Sequence, residues 1–304
     1  MSKLLRISSN QTLRFFLFFS LLLSIALDGP AQSRRKQPTN DTAPPAPLLV
    51  RTATRTETRR LGYGGTLTLT GAPSGSITIE AWPQNEIEIT ADIELRAARE
   101  EDLMRLASVN NFVIVQDTNH IRITTTGTHD RRFLRRADKN FPKELLGLPW
   151  KIDYRIRVPA FTDMEIHGGR GAINITNVEG AIRLDAGESQ TTLTLAGGDL
   201  LATVERGSIL LRVPVRSWRG RGVEVRLAQG QMDVELAPNF NADITASILR
   251  TGRIENSYSS LLPREPELTP PTERNLQGRA GAGGAPFSFT VGDGTLRIKP
   301  FENK

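Results

Sequence analysis

The sequence predicts an all-β protein, a β-solenoid or stacked-strand repeat fold with about 20 residues per coil and one short helix. Three observations predict it. Apolar and polar residues alternate at a period of two over most of the chain beyond Leu61. From Gly169 onward glycines cut that alternation at near-regular intervals. Only one segment carries helical spacing. A β-sandwich with glycine turns is the alternative arrangement of the same strands.

The N-terminal residues set an address rather than a fold. Arg6 and Arg14 flank and precede the apolar run "FFLFFSLLLSIAL" from Phe15 to Leu27, and "DGPAQS" follows with small residues for a signal peptidase. A signal peptide over 1–33 is expected, since the run is short of the roughly 20 residues that span a bilayer. An uncleaved anchor is the other reading. Residues 34–60, opening with "SRRKQPTNDTAPPAP", lack an apolar period and read as a disordered, proline-rich linker. The expected domain runs over 61–300, with N-terminal strands and the helix over 61–160, glycine-cornered coils over 161–300, and a tail at 301–304.

Within the domain each element has its own signal. "TLTLT" (Thr66 to Thr70), "SITIEAW" (Ser76 to Trp82) and "EIEITADIEL" (Glu86 to Leu95) alternate as strands. "AREEDLMRLASV" places acids first and then Leu103, Leu106 and Val109 at three-residue spacing, which is the helix. "NFVIVQDTNHIRITTT" reads as a hairpin turning at Asp117 to Asn119. The basic stretch from Gly127 to Pro149 breaks the pattern and reads as an excursion with one helical turn. Ile152, Tyr154, Ile156 and Val158 resume it.

Glycines Gly171, Gly187, Gly207, Gly230, Gly252 and Gly294 then anchor a repeat, with gaps of 16, 20, 23, 22 and 42 residues. Two residues after the anchor come Ile173, Ile209, Met232, Ile254 and Leu296, and four after come Ile175, Leu211, Val234 and Ile298. Three before come Leu184, Val204, Leu227, Leu249 and Val291. A unit this small cannot bury its apolar face alone, but stacked copies can. Ile173, Ile175, Ile182, Leu184, Leu193 and Leu195 are the expected core of the first two rungs. The proline- and glycine-rich segment from Ser259 to Ala285 reads as a surface loop, and "PFSFTVGDGTLRIKP" as a last repeat.

The order of these patterns resembles the bacterial "putative adhesin" family, exported proteins with a repeated-strand domain of unknown function. "GGTLTLTGAPSGSITIEAWPQNEIEI", the single helix near Glu100, "YRIRVPAFTDMEIHGGRGAINITNVEGAI" and "GAGGAPFSFTVGDGTLRIK" carry the resemblance, which spans Leu61 to Pro300. It implies a solenoid-like all-β fold and transfers no catalytic residues. The basic excursion and the proline-rich insertion are not part of it.

Chemistry is sparse. The chain has no cysteine, which excludes disulfides and thiolate metal sites. His120, His129 and His167 have no partners at ligand or triad spacing, and no phosphate-binding loop is present. No cofactor and no metal are expected. Single acids such as Asp185, Glu188, Asp199, Glu205, Glu224, Asp233 and Glu235 are interleaved with arginines, which reads as cross-strand pairing rather than a catalytic pair. The net charge of +6 is concentrated after the signal and in "DRRFLRR". Arg131, Arg132, Arg135 and Arg136 are the expected contacts for an anionic surface, and Trp150 and Trp218 the expected aromatic anchors. The reading is an exported, non-catalytic chain of the bacterial cell envelope whose stiff surface binds or adheres. Its partner would be an unidentified envelope polymer, surface or protein, with no nucleic acid and no membrane segment after cleavage. It would sit in the periplasm, on the cell surface or outside. A periplasmic scaffold or signalling accessory is the first alternative, and a polysaccharide-active β-helix enzyme the second.

Overall fold

The computed structural model describes residues 47–264 and 270–301, and their fifteen strands all join one sheet. The protein is all-β. In chain order the strands are β1 (Leu49–Arg60), β2 (Thr66–Thr70), β3 (Ile77–Trp82) and β4 (Glu86–Ala97), then helix α1 (Glu100–Val109). β5 (Asn111–Asp117) and β6 (His120–Thr126) form the expected hairpin, followed by helix α2 (Arg131–Ala137) and β7 (Trp150–Pro159). The long strands follow: β8 (Asp163–Thr176), β9 (Ala181–Thr194), β10 (Gly197–Val213), β11 (Arg219–Leu236) and β12 (Ala242–Asn256). β13 (Leu261–Pro263), β14 (Asn275–Ala280) and β15 (Pro286–Pro300) complete the set. The expected signal peptide lies outside the described residues.

β8, β9, β10 and β11 are consecutive, adjacent and parallel. A straight 14-residue strand such as β9 would reach about 46 Å, and four linking residues cannot recross more than about 14 Å. Each long strand must therefore turn back on itself. Both of its arms bury alternate residues: Ile182 and Leu184 on one arm of β9, Thr191 and Leu193 on the other. Contacts cross the space between arms, as where Tyr154 Oη of β7 lies 2.7 Å from Thr125 Oγ1 of β6. All six residues expected as the core of the first rungs are buried.

The corners form a column. Gly171, Ser189, Gly207, Gly230, Gly294 and Gly252 are in register across neighbouring strands. The five glycines have φ between +125° and +144°. A Cβ on Gly207, Gly230, Gly294 or Gly252 would land on the carbonyl oxygen of the corner residue beside it. Glycine is therefore required twice over, by conformation and by close approach.

Four expectations need correction. Gly187 is not a corner: Ser189 takes that place, buried, with its hydroxyl 2.9 Å from Thr191 Oγ1. The last repeat is not last in space, because β15 lies between β11 and β12. Leu249 is not in the core column. A register shift between Ile248 and Thr251 puts Ile248 opposite Val291 and leaves Leu249 63% exposed, a bulge of the kind that bends strands near a sheet edge. The segment expected as a linker over 34–60 ends in β1, twelve residues paired antiparallel with β4. From Thr54 to Arg60 it has no apolar residue, so pairing there is carried by the ladder and by Thr54 on Asp92 (2.6 Å), while Arg55 and Arg59 pair with Glu57 along the strand itself.

Insertions sit where the repeat allows them. β6 continues the arm of β2, and β7 the arm of β3. The excursion from Gly127 to Pro149 thus replaces a corner, and it holds α2 and a 3-10 turn at Lys143–Leu145. At the opposite end the segment expected as a loop over 259–285 returns as β13 and β14, and β14 pairs antiparallel with the first arm of β12.

Gly230→Ala is expected to cost about 3 kcal/mol or more, through strain and the carbonyl clash. Gly147→Ala, where nothing lies within 4 Å of an added Cβ, serves as the silent control in the same thermal melt. Ile175→Asp should cost on the order of 4 kcal/mol or prevent folding, while Asn174→Asp stays within about 0.5 kcal/mol. Equal melting temperatures for that second pair would disprove the register.

Candidate functional site

Three outward features stand apart from the repeat, and the first is the basic insertion. α2 begins at Asp130, whose Oδ1 accepts from the backbone N–H of Arg132 (2.8 Å) and Phe133 (3.0 Å). The Phe133 N–H in particular holds the Asp130 carboxyl below its ordinary range. Leu134 is buried under the helix, and Arg131, Arg132, Arg135 and Arg136 are exposed. Among the described residues none of the four is within ion-pair distance of a carboxylate, whereas most arginines of the sheet are paired. Lys139 extends the row. Arg131, Arg135 and Lys139 border a cleft of about 420 Å³ together with Leu134, Asp138, Phe141 and Leu146. The neck of the insertion is fixed: buried Asn110 accepts the Thr128 N–H at 3.0 Å, and the His129 ring stacks on Trp150 with centroids 5.4 Å apart. Partial burial pushes the His129 pKa down.

Of the two expected aromatic anchors, Trp218 is not on the surface. Trp218 is 8% exposed, donates from Nε1 to the Gly198 carbonyl at 2.9 Å, and meets Phe287 edge-on. It is core, covered by the inserted β15. Trp150 is half-buried, packed between the core and His129. Trp150 meets the basic insertion at its neck, and neither tryptophan lines the cleft beside α2.

The second feature is a groove of about 820 Å³ on the outward face of the first arms. Glu165, Arg183, Leu201, Glu224 and Ser288 stand side by side on successive strands. Beside them, Asp163 Oδ1 accepts the Ala181 N–H at 2.7 Å, and Asp199 Oδ1 accepts the Arg221 N–H at 2.9 Å. Arg221 also pairs with Asp199 through its guanidinium, and Arg226 with Glu224. His167 faces Glu165 at 3.4 Å and Asp185 at 3.8 Å.

The third feature escaped sequence reasoning. Tyr63 is 77% and Phe161 44% exposed, and their ring centroids lie 5.2 Å apart. They are the two exposed aromatic side chains among the described residues. An aromatic inside the glycine turn "GYGG" was the available signal.

No protein-family model and no curated protein matches this chain. Among solved structures, a "putative cell adhesion protein" from Clostridium sporogenes is 11% identical, covering 82% of this chain and 100% of its own, with a TM-score of 0.45. A "putative adhesin" from Bacteroides fragilis is 8% identical over 81% of this chain and 97% of its own, with a TM-score of 0.22. A "putative lipid binding protein" from Parabacteroides distasonis is 10% identical over 82% and 97%, with a TM-score of 0.18.

The outward acids on the second arms are engaged in ion pairs that run across strands. Glu235 lies between Arg212 (2.8 Å) and Lys299 (3.1 Å), and Glu255 between Arg253 (2.6 Å) and Arg297 (2.8 Å). Burial raises the Glu235 pKa, but the hydrogen bonds from Arg212 and Lys299 outweigh it and leave the carboxyl below its ordinary value. A depressed carboxylate stabilises the fold above its unfolded pKa and loses that contribution as pH falls through the folded one. Glu235→Gln should therefore lower stability by about 1 kcal/mol or less at neutral pH. Urea melts of the two proteins should converge as pH drops below the ordinary glutamate range.

Proposed function

We propose that this chain is an exported, non-catalytic protein of the bacterial cell envelope, built as a β-solenoid, that binds an anionic polymer or surface through α2. One observation carries the reading: Arg131, Arg132, Arg135 and Arg136 cluster on one short helix, exposed and, among the described residues, without a carboxylate at ion-pair distance, whereas most arginines of the sheet are paired. Unmatched guanidinium groups attract anionic surfaces and hold phosphate or carboxylate bidentately. The in-register corners, the short connections and the double-buried arms support the solenoid over the sandwich. Export rests on the N-terminal sequence, and no helix among the described residues is long and apolar enough to cross a membrane.

The mechanism is presentation. Stacked arms hold their outward side chains at fixed spacing, and the corner insertion extends from them on a neck fastened by Asn110 and Trp150. The protein then binds with a preordered patch and orders little on contact.

The test is co-sedimentation with vesicles containing phosphatidylglycerol, with pure phosphatidylcholine vesicles as the uncharged counterpart. Replacing all four arginines by alanine should abolish most of the binding, at roughly 1 kcal/mol per basic residue near an anionic surface, and raising the salt should do the same. Binding that is unchanged in the variant and insensitive to salt would overturn the proposal. Protease shaving of intact cells then distinguishes the cell surface from the periplasm.

A further inference from the structure

We infer that the groove over β2, β8, β9, β10, β11 and β15 is a binding site for a neutral β-linked glycan chain, with Tyr63 and Phe161 as its stacking platform. The site is separate from α2 and does not rest on the binding proposed there. Its position follows from the register. The Asp163 N–H donates to the Gly65 carbonyl at 2.9 Å, so Tyr63 and Phe161, each two residues upstream of one partner, stand together at the β2 and β8 end of the groove. Six strands at their usual spacing give the groove a length of about 24 Å, which suits an extended polymer better than a small compact ligand.

The chemistry of the lining selects the class. Sugar hydroxyls both donate and accept. Asp163, Glu165, Asp199 and Glu224 offer acceptors in rows, while Arg183 and Arg221 offer donors. Arg183 is exposed and has no carboxylate within ion-pair distance among the described residues, so its donors are open to a ligand. Asp199 and Glu224 are neutralised by Arg221 and Arg226, and Asp163 and Glu165 stand against the single unpaired Arg183, so the groove carries no cationic excess for an acidic polymer, the opposite of α2. A peptide added as a strand is excluded on other grounds: the backbone groups under the groove are already paired in parallel ladders on both sides. Exposed aromatic rings in contact, here with planes inclined at 46°, are otherwise a burden on a soluble surface. Against the flat C–H face of a β-linked hexopyranose they have a partner, and the tyrosine hydroxyl stays in water.

The experiment is native affinity electrophoresis of the full chain in gels containing hydroxyethylcellulose or, separately, the α-linked polymer dextran, backed by calorimetric titration with cellohexaose. Hydroxyethylcellulose should retard the protein more than dextran does. The Tyr63→Ala/Phe161→Ala pair should weaken association roughly tenfold or more. Arg183→Ala should weaken it as well, with unchanged melting temperature, while the α2 quadruple variant should bind glycan like the parent. The inference is overturned if neither gel retards the protein, if dextran retards it equally, or if the aromatic pair can be removed without loss.

Discussion

The close approach of backbone to backbone at the corner column is the constraint on which the rest of the structure depends. A carbonyl of one corner residue occupies the volume where the next corner would carry a Cβ, and five of the six corners are glycines at positive φ. With the corners stacked, the arms on either side fall into register, and alternation at a period of two then sends the same columns inward on every rung. A slip of one residue would turn each column outward. The one non-glycine corner, Ser189, keeps its polar atom satisfied by Thr191. Register shifts once between β10 and β11, at Gly197 to Asp199, and once on β12, at Ile248 to Thr251, beyond which only β14 and β13 continue the sheet.

This constraint leaves the outward side chains free to vary, and the molecule uses that freedom unevenly. On the second arms charges are matched across strands, as in Arg212, Glu235 and Lys299. On the first arms acids and arginines line an open groove. At the corner between β6 and β7 the repeat is replaced by a folded insertion whose arginines have no carboxylate at ion-pair distance among the described residues. Matched charge makes a quiet surface; the unmatched arginines and the exposed aromatic pair are the places where a partner would gain most by arriving.

Much of this was readable from the chain because its causes are local. The helix at Glu100–Val109, the hairpin turn at Thr118 and the inward columns follow from spacing within a few residues. The arginines of α2 were visible for the same reason. What failed was non-local. Trp218 lies beside basic residues in sequence, and nothing near it announces that Phe287 will cover it. Tyr63 and Phe161 are far apart in the chain and meet only because β2 pairs with β8. β1 carries no apolar residue over Thr54–Arg60, so periodicity could not find a strand whose pairing is all backbone and polar contact. The place of β15 was hidden for a different reason: every repeat presents the same corner and the same columns, so the unit fits any gap in the stack equally well.

That interchangeability has a consequence for how the molecule is made. β11 and β12 follow one another in the chain yet stand one strand apart, held at that separation by residues near the C terminus. Synthesis runs from the other end. A nascent chain therefore carries a gap between β11 and β12 until β15 emerges, and Phe240 and Trp218 wait for Phe287. The glycine-rich stretch from Gly281 to Ala285 carries the chain from β14, on the far side of β12, back to β15. A chain cut before β15 would lack the strand that separates β11 from β12 and would leave both edges unpaired.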